Sequence, residues 1–381
     1  MRVRYWGSGG VCSIMTATHI ALVFHDFSTG GSERIAIRLA NAWAQAGRRV
    51  TIFCGTEAGT ARSLVSPLVA VRSCSPEIRR GFASRLRLGQ HLGRLVAPDA
   101  PDVLFAPGNF HLPVLAVAGR IWGKDRPRLV CKLSNPVLPR SHIGGLARLA
   151  GSMVRRLIAP VDRLTAMSSG LAAEAVGVLG RNDIVCIDEP ILSADALVAP
   201  RPDRMGGPPV ILCVGRLEAQ KDFRLAIRAF AELSPLSAAR LVILGEGPDR
   251  EDLLALARRL GVADRVELPG HVTDVPARMA QAHVLLMTSR YEGYPAVLIE
   301  ARAAGLPVVT TACSAALREI LPLPIHGDIV SSRRPGDIGA ALARRLSQPT
   351  GDPLTLSAGT ERFCIERIAP QYLSLFDEMA G

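Results

Sequence analysis

Arg290-Tyr-Glu-Gly-Tyr-Pro-Ala-Val-Leu-Ile-Glu300 joins two patterns of different period. Before it, Val284-Leu-Leu-Met-Thr288 is a nearly unbroken apolar run, as expected of a strand covered on both faces of a parallel sheet. After it, Ala296 to Ala304 reads as a helix, with Pro295 at its first position and Gly305 closing it. Strand, tight loop and helix make the repeating unit of a doubly wound α/β domain. Glu292 falls in the loop and Glu300 inside the helix. At a rise of 1.5 Å per residue they are expected roughly 8–12 Å apart along the helix direction. The helix N-terminus between them offers free N–H groups that suit a phosphate. Carboxylates that bind hydroxyls on both sides of an anion site match a sugar–diphosphate–sugar molecule, a nucleotide sugar.

The neighbouring sequence repeats the unit. Val210 to Val214 is a buried-strand pattern ending at Gly215-Arg216, followed by a helix with Leu225, Ala226, Ala229, Phe230 and Leu233 on its apolar face. Leu241–Leu244 ends at Gly245-Glu-Gly247, and Asp249 is placed to cap a helix that runs to Leu260 and stops at Gly261. Val266–Leu268 leads to Gly270-His271-Val272 and a short helix, and Pro307 to Thr310 gives one more strand. Glu361 to Met379 reads as a helix with Phe363, Ile365, Ile368, Tyr372, Leu373 and Phe376 as its apolar positions.

The first half has the same grammar. Strand Ile20–Phe24 enters a loop ending at Glu33, and a helix follows with Ile35, Leu39, Ala42, Trp43 and Ala46 on one face and Gly47 as C-cap. Further strands are expected at Val50–Cys54, Val69–Arg72, Asp102–Phe105, Arg128–Lys132, Leu164–Met167 and Ile184–Ile187. Gly30-Gly31 lets a backbone approach a ligand at a helix N-terminus, but it is not Gly-x-Gly-x-x-Gly, so a dehydrogenase reading is weak. Prolines 200, 202, 208 and 209 with Gly206-Gly207 break regular structure between the halves. The expected organisation is a disordered tail at 1–16, one Rossmann-like domain at 17–195, a linker at 196–209, a second such domain at 210–360, and a terminal helix at 361–381. Translation is expected to begin at Met15. Ligands of such sheets sit outside the carboxyl ends of the strands, where Gly30-Gly31, Gly215-Arg216, Gly245-Glu-Gly247 and Glu292 all fall. They are expected to face one cleft between the domains.

Composition narrows the class. The chain has 381 residues, too many for one ordinary core, and its 48% apolar share excludes disorder. No run reaches the roughly 18 apolar residues of a membrane span, and no cleavable leader is evident, so a cytoplasmic protein is expected. Eight scattered cysteines without a Cys-x-x-Cys pair argue against structural zinc and disulfides. Residues 1–200 hold 24 Lys and Arg against 13 Asp and Glu, whereas residues 201–381 hold 21 of each, so the +11 excess belongs to the first half. An anionic partner is favoured there.

Arg216 and Lys221 carry the leaving-group chemistry. A nucleoside diphosphate gains negative charge as its glycosidic bond breaks and needs cations or a metal to stabilise it. The chain lacks the Asp-x-Asp pair that marks a metal-held diphosphate, so no metal is expected, and the fork of Arg216 with the point charge of Lys221 can serve instead. A solvated basic pair is the plain alternative. Glu292 is assigned to the donor sugar and Glu300 to the ribose.

These residues resemble a known family. Val214-Gly-Arg-Leu217 with Lys221, Leu244-Gly-Glu-Gly-Pro248, Ser289 to Ala301 and Gly305-Leu-Pro-Val-Val309 are similar to the retaining glycosyltransferases of family 4, the group 1 type of the GT-B fold. Gly30-Gly-Ser-Glu-Arg34 carries a weaker likeness in the first half. The resemblance spans about residues 17 to 378. It implies a nucleotide-sugar donor (UDP- or GDP-linked) on the second domain, a glycan or lipid-linked acceptor on the first, and retention of anomeric configuration by same-face attack. Arg216, Lys221 and Glu292 would be the catalytic residues. Gly30, Gly31, Gly215, Gly270, His271, Val272, Gly293, Tyr294 and Glu300 would complete the donor site, with the 270–272 loop near the base. The terminal helix would return to the first domain. On the acceptor side the candidates are Asn109, His111 and Asn135. Two departures stand out: Ser134-Asn135-Pro136 replaces a common histidine segment, and Glu189-Pro190 replaces the usual Asn-Pro.

Two segments remain open in meaning. Glu77 to Val96 mixes Arg79, Arg80, Arg85, Arg87 and Arg94 with apolar residues, and Leu146 to Ile158 does the same with Arg148, Arg155 and Arg156. Such faces suit an anionic membrane surface, but amphipathic helices with solvated arginines look the same. Two other functions compete with transfer. A nucleotide-sugar epimerase needs acid/base residues around the sugar that the sequence does not point to. A nucleic-acid binder needs stacking platforms, which 4% aromatics do not supply, so no nucleic acid is expected.

Overall fold

The computed structural model describes residues 16–28, 30–96, 99–123, 126–138, 145–197, 207–233, 238–348 and 352–381, with 145–149 in backbone only. The expected tail up to residue 15, the Met15 start, the Arg148 side chain and linker residues 198–206 lie outside these. The chain divides into two compact units, Met1–Pro190 with Phe363–Gly381, and Ile191–Arg362.

The first unit runs β1 (His19–Phe24), α1 (Gly31–Gln45), β2 (Arg49–Cys54), β3 (Val69–Ser73), α2 (Ser84–Val96), β4 (Val103–Ala106), α3 (Leu112–Trp122), β5 (Arg128–Leu133), α4 (Gly145–Ile158), β6 (Arg163–Ala166), α5 (Ser169–Leu179) and β7 (Ile184–Cys186). The strands pair in the order β3-β2-β1-β4-β5-β6-β7, and every pair is parallel. All six residues of β1 are buried, which is why its sequence runs apolar without alternation. The strand order reverses between β1 and β4, and the crevice at that point lies outside their carboxyl ends.

The second unit runs β8 (Val210–Val214), α6 (Phe223–Ala231), β9 (Arg240–Leu244), α7 (Arg250–Arg259), β10 (Val266–Gly270), α8 (Val275–Gln281), β11 (Val284–Met287), α9 (Ala296–Ala303), β12 (Val308–Thr311), α10 (Leu317–Ile320), β13 (Gly327–Val330), α11 (Pro335–Ser347) and α12 (Pro353–Ser357). Its parallel sheet has the order β10-β9-β8-β11-β12-β13 and reverses between β8 and β11. These are the two doubly wound α/β domains that the periodicity predicts.

The terminal run begins as a 3-10 turn at Thr360–Phe363 and continues as α13 (Ile365–Ala380), part of the first unit. Its buried face, Ile368, Tyr372 and Phe376, joins Trp43 and Phe105 in one core. Trp43 meets Tyr372 and Phe376 edge-on at 5.9 and 5.2 Å between centroids, and its indole N–H donates to the Ala369 carbonyl. Burying each such side chain contributes about 1.5–3 kcal/mol before aromatic geometry is counted.

Three local expectations differ. Asp249 stands at the N-cap of α7, but its side chain makes no capping bond. Pro295 is the N-cap of α9 rather than its first helical residue. Strand β13, which the periodicity did not predict, is a four-residue edge strand only half-buried, so it lacks an apolar run.

Candidate active site

The second sheet presents the carboxyl ends of β8 and β11 at its reversal point, and each end carries one of the predicted charges. Beyond β8, Gly215 takes φ 155° and Gly245, beyond β9, takes φ 139°. A Cβ on Gly245 would lie 1.9 Å from the Gly215 carbonyl oxygen, so the two loops cross too closely for any side chain there. The Leu217 N–H donates to Glu246 O and the Asp249 N–H to Leu217 O, which binds the two loops together.

Lys221 ends that loop with its Nζ 2.6 Å from Glu292 Oε1. The same oxygen accepts the Ser289 hydroxyl at 2.7 Å, and the Glu292 amide donates to the Cys313 carbonyl. Glu292 is therefore fixed through backbone and side chain, and both charges of the pair are largely buried. A cation and a hydroxyl-binding carboxylate sit side by side at the switch point of the sheet. That is the chemistry a sugar diphosphate requires.

Arg216 does not join them. It lies before α6 rather than on a helix, its side chain is 76% exposed, and it pairs with Glu218 at 2.9 Å. The Gly293 carbonyl accepts the Ser314 hydroxyl, and Tyr294 precedes the α9 N-cap. Glu300 lies half-buried in the second turn of α9. Gly270 ends β10, the edge strand beyond β9, and its carbonyl accepts the Gly245 amide; His271 is exposed and Val272 half-buried. Among the described residues, no group of three or more His, Cys, Asp and Glu could hold a metal ion. Burial pushes the Cys313 thiol up to about 11, so it is no nucleophile near neutral pH.

Sequence reasoning missed Arg333. Its Nη1 donates to Ser289 O at 3.0 Å, and its Nη2 to Asp222 Oδ2 at 2.7 Å and Thr288 O at 2.9 Å. No local pattern marks a residue whose partners are so distant in sequence.

In the first unit, the loop beyond β1 faces different conditions from those expected. A Cβ on Gly30 would lie 2.1 Å from Glu33 Oε2, so this chain's own buried carboxylate lies against Gly30 at the start of α1. A Cβ on Gly31 would meet nothing within 4 Å. Arg80 bonds Asp26, Ser28 and Glu33, and its guanidinium lies 4.6 Å over the Phe110 ring.

The three acceptor-side candidates are tied into the structure. Asn109 Oδ1 accepts the amides of Ser134 and Asn135 while its Nδ2 donates to Asn135 O, which joins the ends of β4 and β5. His111 is buried, and its Nε2 accepts the His25 amide at 3.1 Å. Burial pushes its pKa down to about 3, so it stays neutral. His25 is also buried and held below its ordinary pKa, and neither ring nitrogen has a hydrogen-bond partner among the described residues. The unusual Glu189 accounts for itself: both carboxylate oxygens bond Lys132 Nζ.

Two family models match the chain, "Glycosyltransferase Family 4" over residues 29–191 and "Glycosyl transferases group 1" over residues 208–348. It is 27% identical over 302 residues to the lipopolysaccharide core biosynthesis glycosyltransferase LpsE of Rhizobium meliloti, covering 78% of this chain and 79% of that protein. It is 29% identical over 210 residues to the lipopolysaccharide 1,6-galactosyltransferase of Salmonella typhimurium, covering 53% of this chain and 57% of that protein. The solved structure of Anabaena HepE in complex with UDP superposes with a TM-score of 0.75 at 19% identity, over 94% of this chain and 99% of that one. These likenesses are to glycosyltransferases, and they do not favour an epimerase.

Proposed function

Because the chain belongs to the group 1 glycosyltransferases and is an enzyme of the GT-B fold, we propose that it moves a hexose-type sugar from a UDP- or GDP-linked donor to a glycan or lipid-linked acceptor of a surface polysaccharide or lipopolysaccharide, without a metal and with retention. The observation that carries the reading is the Lys221–Glu292 pair at the reversal point of the second sheet. When the donor enters, each partner exchanges the other for the ligand. Lys221 turns its ammonium to the diphosphate, and Glu292 accepts hydroxyls of the sugar. Arg216, exposed on the same loop, adds a second cation by leaving Glu218.

The acceptor oxygen then attacks the anomeric carbon from the face the phosphate leaves. The new C–O bond forms as the sugar–phosphate bond breaks, and the acceptor proton passes to the departing phosphate oxygen. Positive charge at Lys221 and Arg216 stabilises the developing dianion. Glu300 binds the ribose and the 270–272 loop lies toward the base. A thermal-shift screen with UDP, GDP and ADP tests the reading. A bound nucleotide at about 100 times its dissociation constant stabilises by about 2.7 kcal/mol, and no shift with any of the three overturns it.

We also read the first unit as the membrane-facing part. No helix among the described residues is long and apolar enough to cross a membrane. Phe82 stands 101% exposed among Arg79, Arg85 and Arg87, an apolar wedge with basic flanks that suits an anionic lipid surface.

A further inference from the structure

We propose that Arg333 is the positioning residue of the Lys221–Glu292 pair, an inference that rests on reading this pair as the donor site. The turn after β8 and the end of β11 are separate pieces of chain, and the pair works only while their spacing is held. Asp222, directly after Lys221, is the key to how that is done. It takes the left-handed conformation, φ 49° and ψ 49°, which a residue with a Cβ adopts at a cost. It stands at the N-cap of α6, yet its carboxylate makes no cap bond. That carboxylate is turned to Arg333 at 2.7 Å and Arg290 at 3.3 Å.

Arg333 comes from beyond β13, two strands away from β11 in the sheet. Its one guanidinium bonds Asp222 on the Lys221 side, and the carbonyls of Thr288 and Ser289 on the Glu292 side. Ser289 is also the residue whose hydroxyl holds Glu292. Thr288 completes the bridge, its hydroxyl lying within 3.2 Å of the Lys221 carbonyl and 3.0 Å of the Asp222 carbonyl. A planar fork can serve three oxygens at once, where a lysine offers a single nitrogen. Among the described residues no hydrogen bond or ion pair joins Arg333 to Lys221 or Glu292, so its effect reaches the donor through the two loops.

The test compares wild type, Arg333→Ala, Arg333→Lys, Asp222→Gly and the Asp222→Gly/Arg333→Ala double variant of the full chain. Dissociation constants for UDP and GDP, donor KM, kcat and Tm are measured for each. Arg333→Ala is expected to weaken the nucleotide that wild type binds about 10-fold, the scale of coupling within one hydrogen-bonded network, with Arg333→Lys recovering only part. Asp222→Gly separates positioning from stability. Glycine adopts the left-handed conformation freely, so Tm holds or rises while donor binding falls as in Arg333→Ala. The double variant should be no worse than Arg333→Ala alone. Wild-type binding in Arg333→Ala, unchanged binding in Asp222→Gly, or full recovery in Arg333→Lys overturns the inference. If wild type binds neither nucleotide, the donor-site reading itself fails, and this inference falls with it.

Discussion

Lys132 Nζ lies 2.7 and 2.9 Å from the two carboxylate oxygens of Glu189, in an ion pair whose side chains are 1% and 7% exposed. Lys132 is on β5 and Glu189 precedes Pro190, the last residue of the first segment of its unit. The pair anchors the chain as it leaves the first sheet.

Lys132→Met should therefore cost about 3–5 kcal/mol, because it leaves the Glu189 carboxylate buried and unpaired. Lys132→Met/Glu189→Leu should recover most of that loss, since a packed apolar pair replaces a desolvated ionic one. Urea unfolding of the three proteins measures this. Equal losses in the single and double variants would show that the charge itself is not what is at stake.

Glu292→Ala should abolish transfer while the far-ultraviolet circular dichroism stays that of wild type. Lys221→Met should lower kcat about 10²–10³-fold, the effect of removing one donor to a developing oxyanion. A variant at either position that turns over near the wild-type rate takes that residue out of the mechanism.

Stability should begin to fall below about pH 6.5, before the carboxylates titrate. His111 is held near 3 when folded by burial and returns to its ordinary value when unfolded, and burial lowers His19, His25 and His326 as well. The unfolded chain thus binds more protons below pH 6.5. The stability from keeping His111 neutral is complete above that pH and is lost as pH falls toward 3, at up to about 1.4 kcal/mol per pH unit for each such group. Asp26 adds a second window. Burial pushes its pKa up, but bonds from Arg80 and Ser28 outweigh that and hold it at about 2, so its contribution is lost between about pH 4 and 2. His111→Asn, which can still accept the His25 amide, should flatten the upper window in chemical unfolding followed against pH. An unchanged slope would mean that other groups carry it.

Phe82→Ser should lower co-sedimentation with anionic liposomes at low salt, and Arg79→Ser/Arg87→Ser should lower it further, with neither altering Tm. If the unaltered chain stays in the supernatant, the membrane-facing reading is wrong.

The sheets were legible because each central strand is covered on both faces and so runs apolar from end to end, as Ile20–Phe24 and Val210–Val214 do. β13 was illegible for the opposite reason: at an edge, Gly327 to Val330 needs no apolar run. The loops beyond β8 and β9 were legible in part because glycine at a crossing, as at Gly215 and Gly245, has few substitutes. What binds those loops was not. Asp222 and Arg333 are 111 residues apart, and pairing at that range leaves no period or spacing in the sequence. Gly30 shows the limit from the other direction, since the space its missing Cβ leaves is taken by Glu33 of this same chain.

The return of α13 to the first unit sets an order of events at the ribosome. Every residue of the second unit leaves the exit tunnel before Tyr372 and Phe376 do. The second unit can fold as it emerges, whereas Trp43 and Phe105 wait uncovered until the closing residues are released. The unit made first is thus the one finished last. A nascent chain stalled before Ile365 would display an aromatic face that chaperones, and other stalled copies, are able to bind.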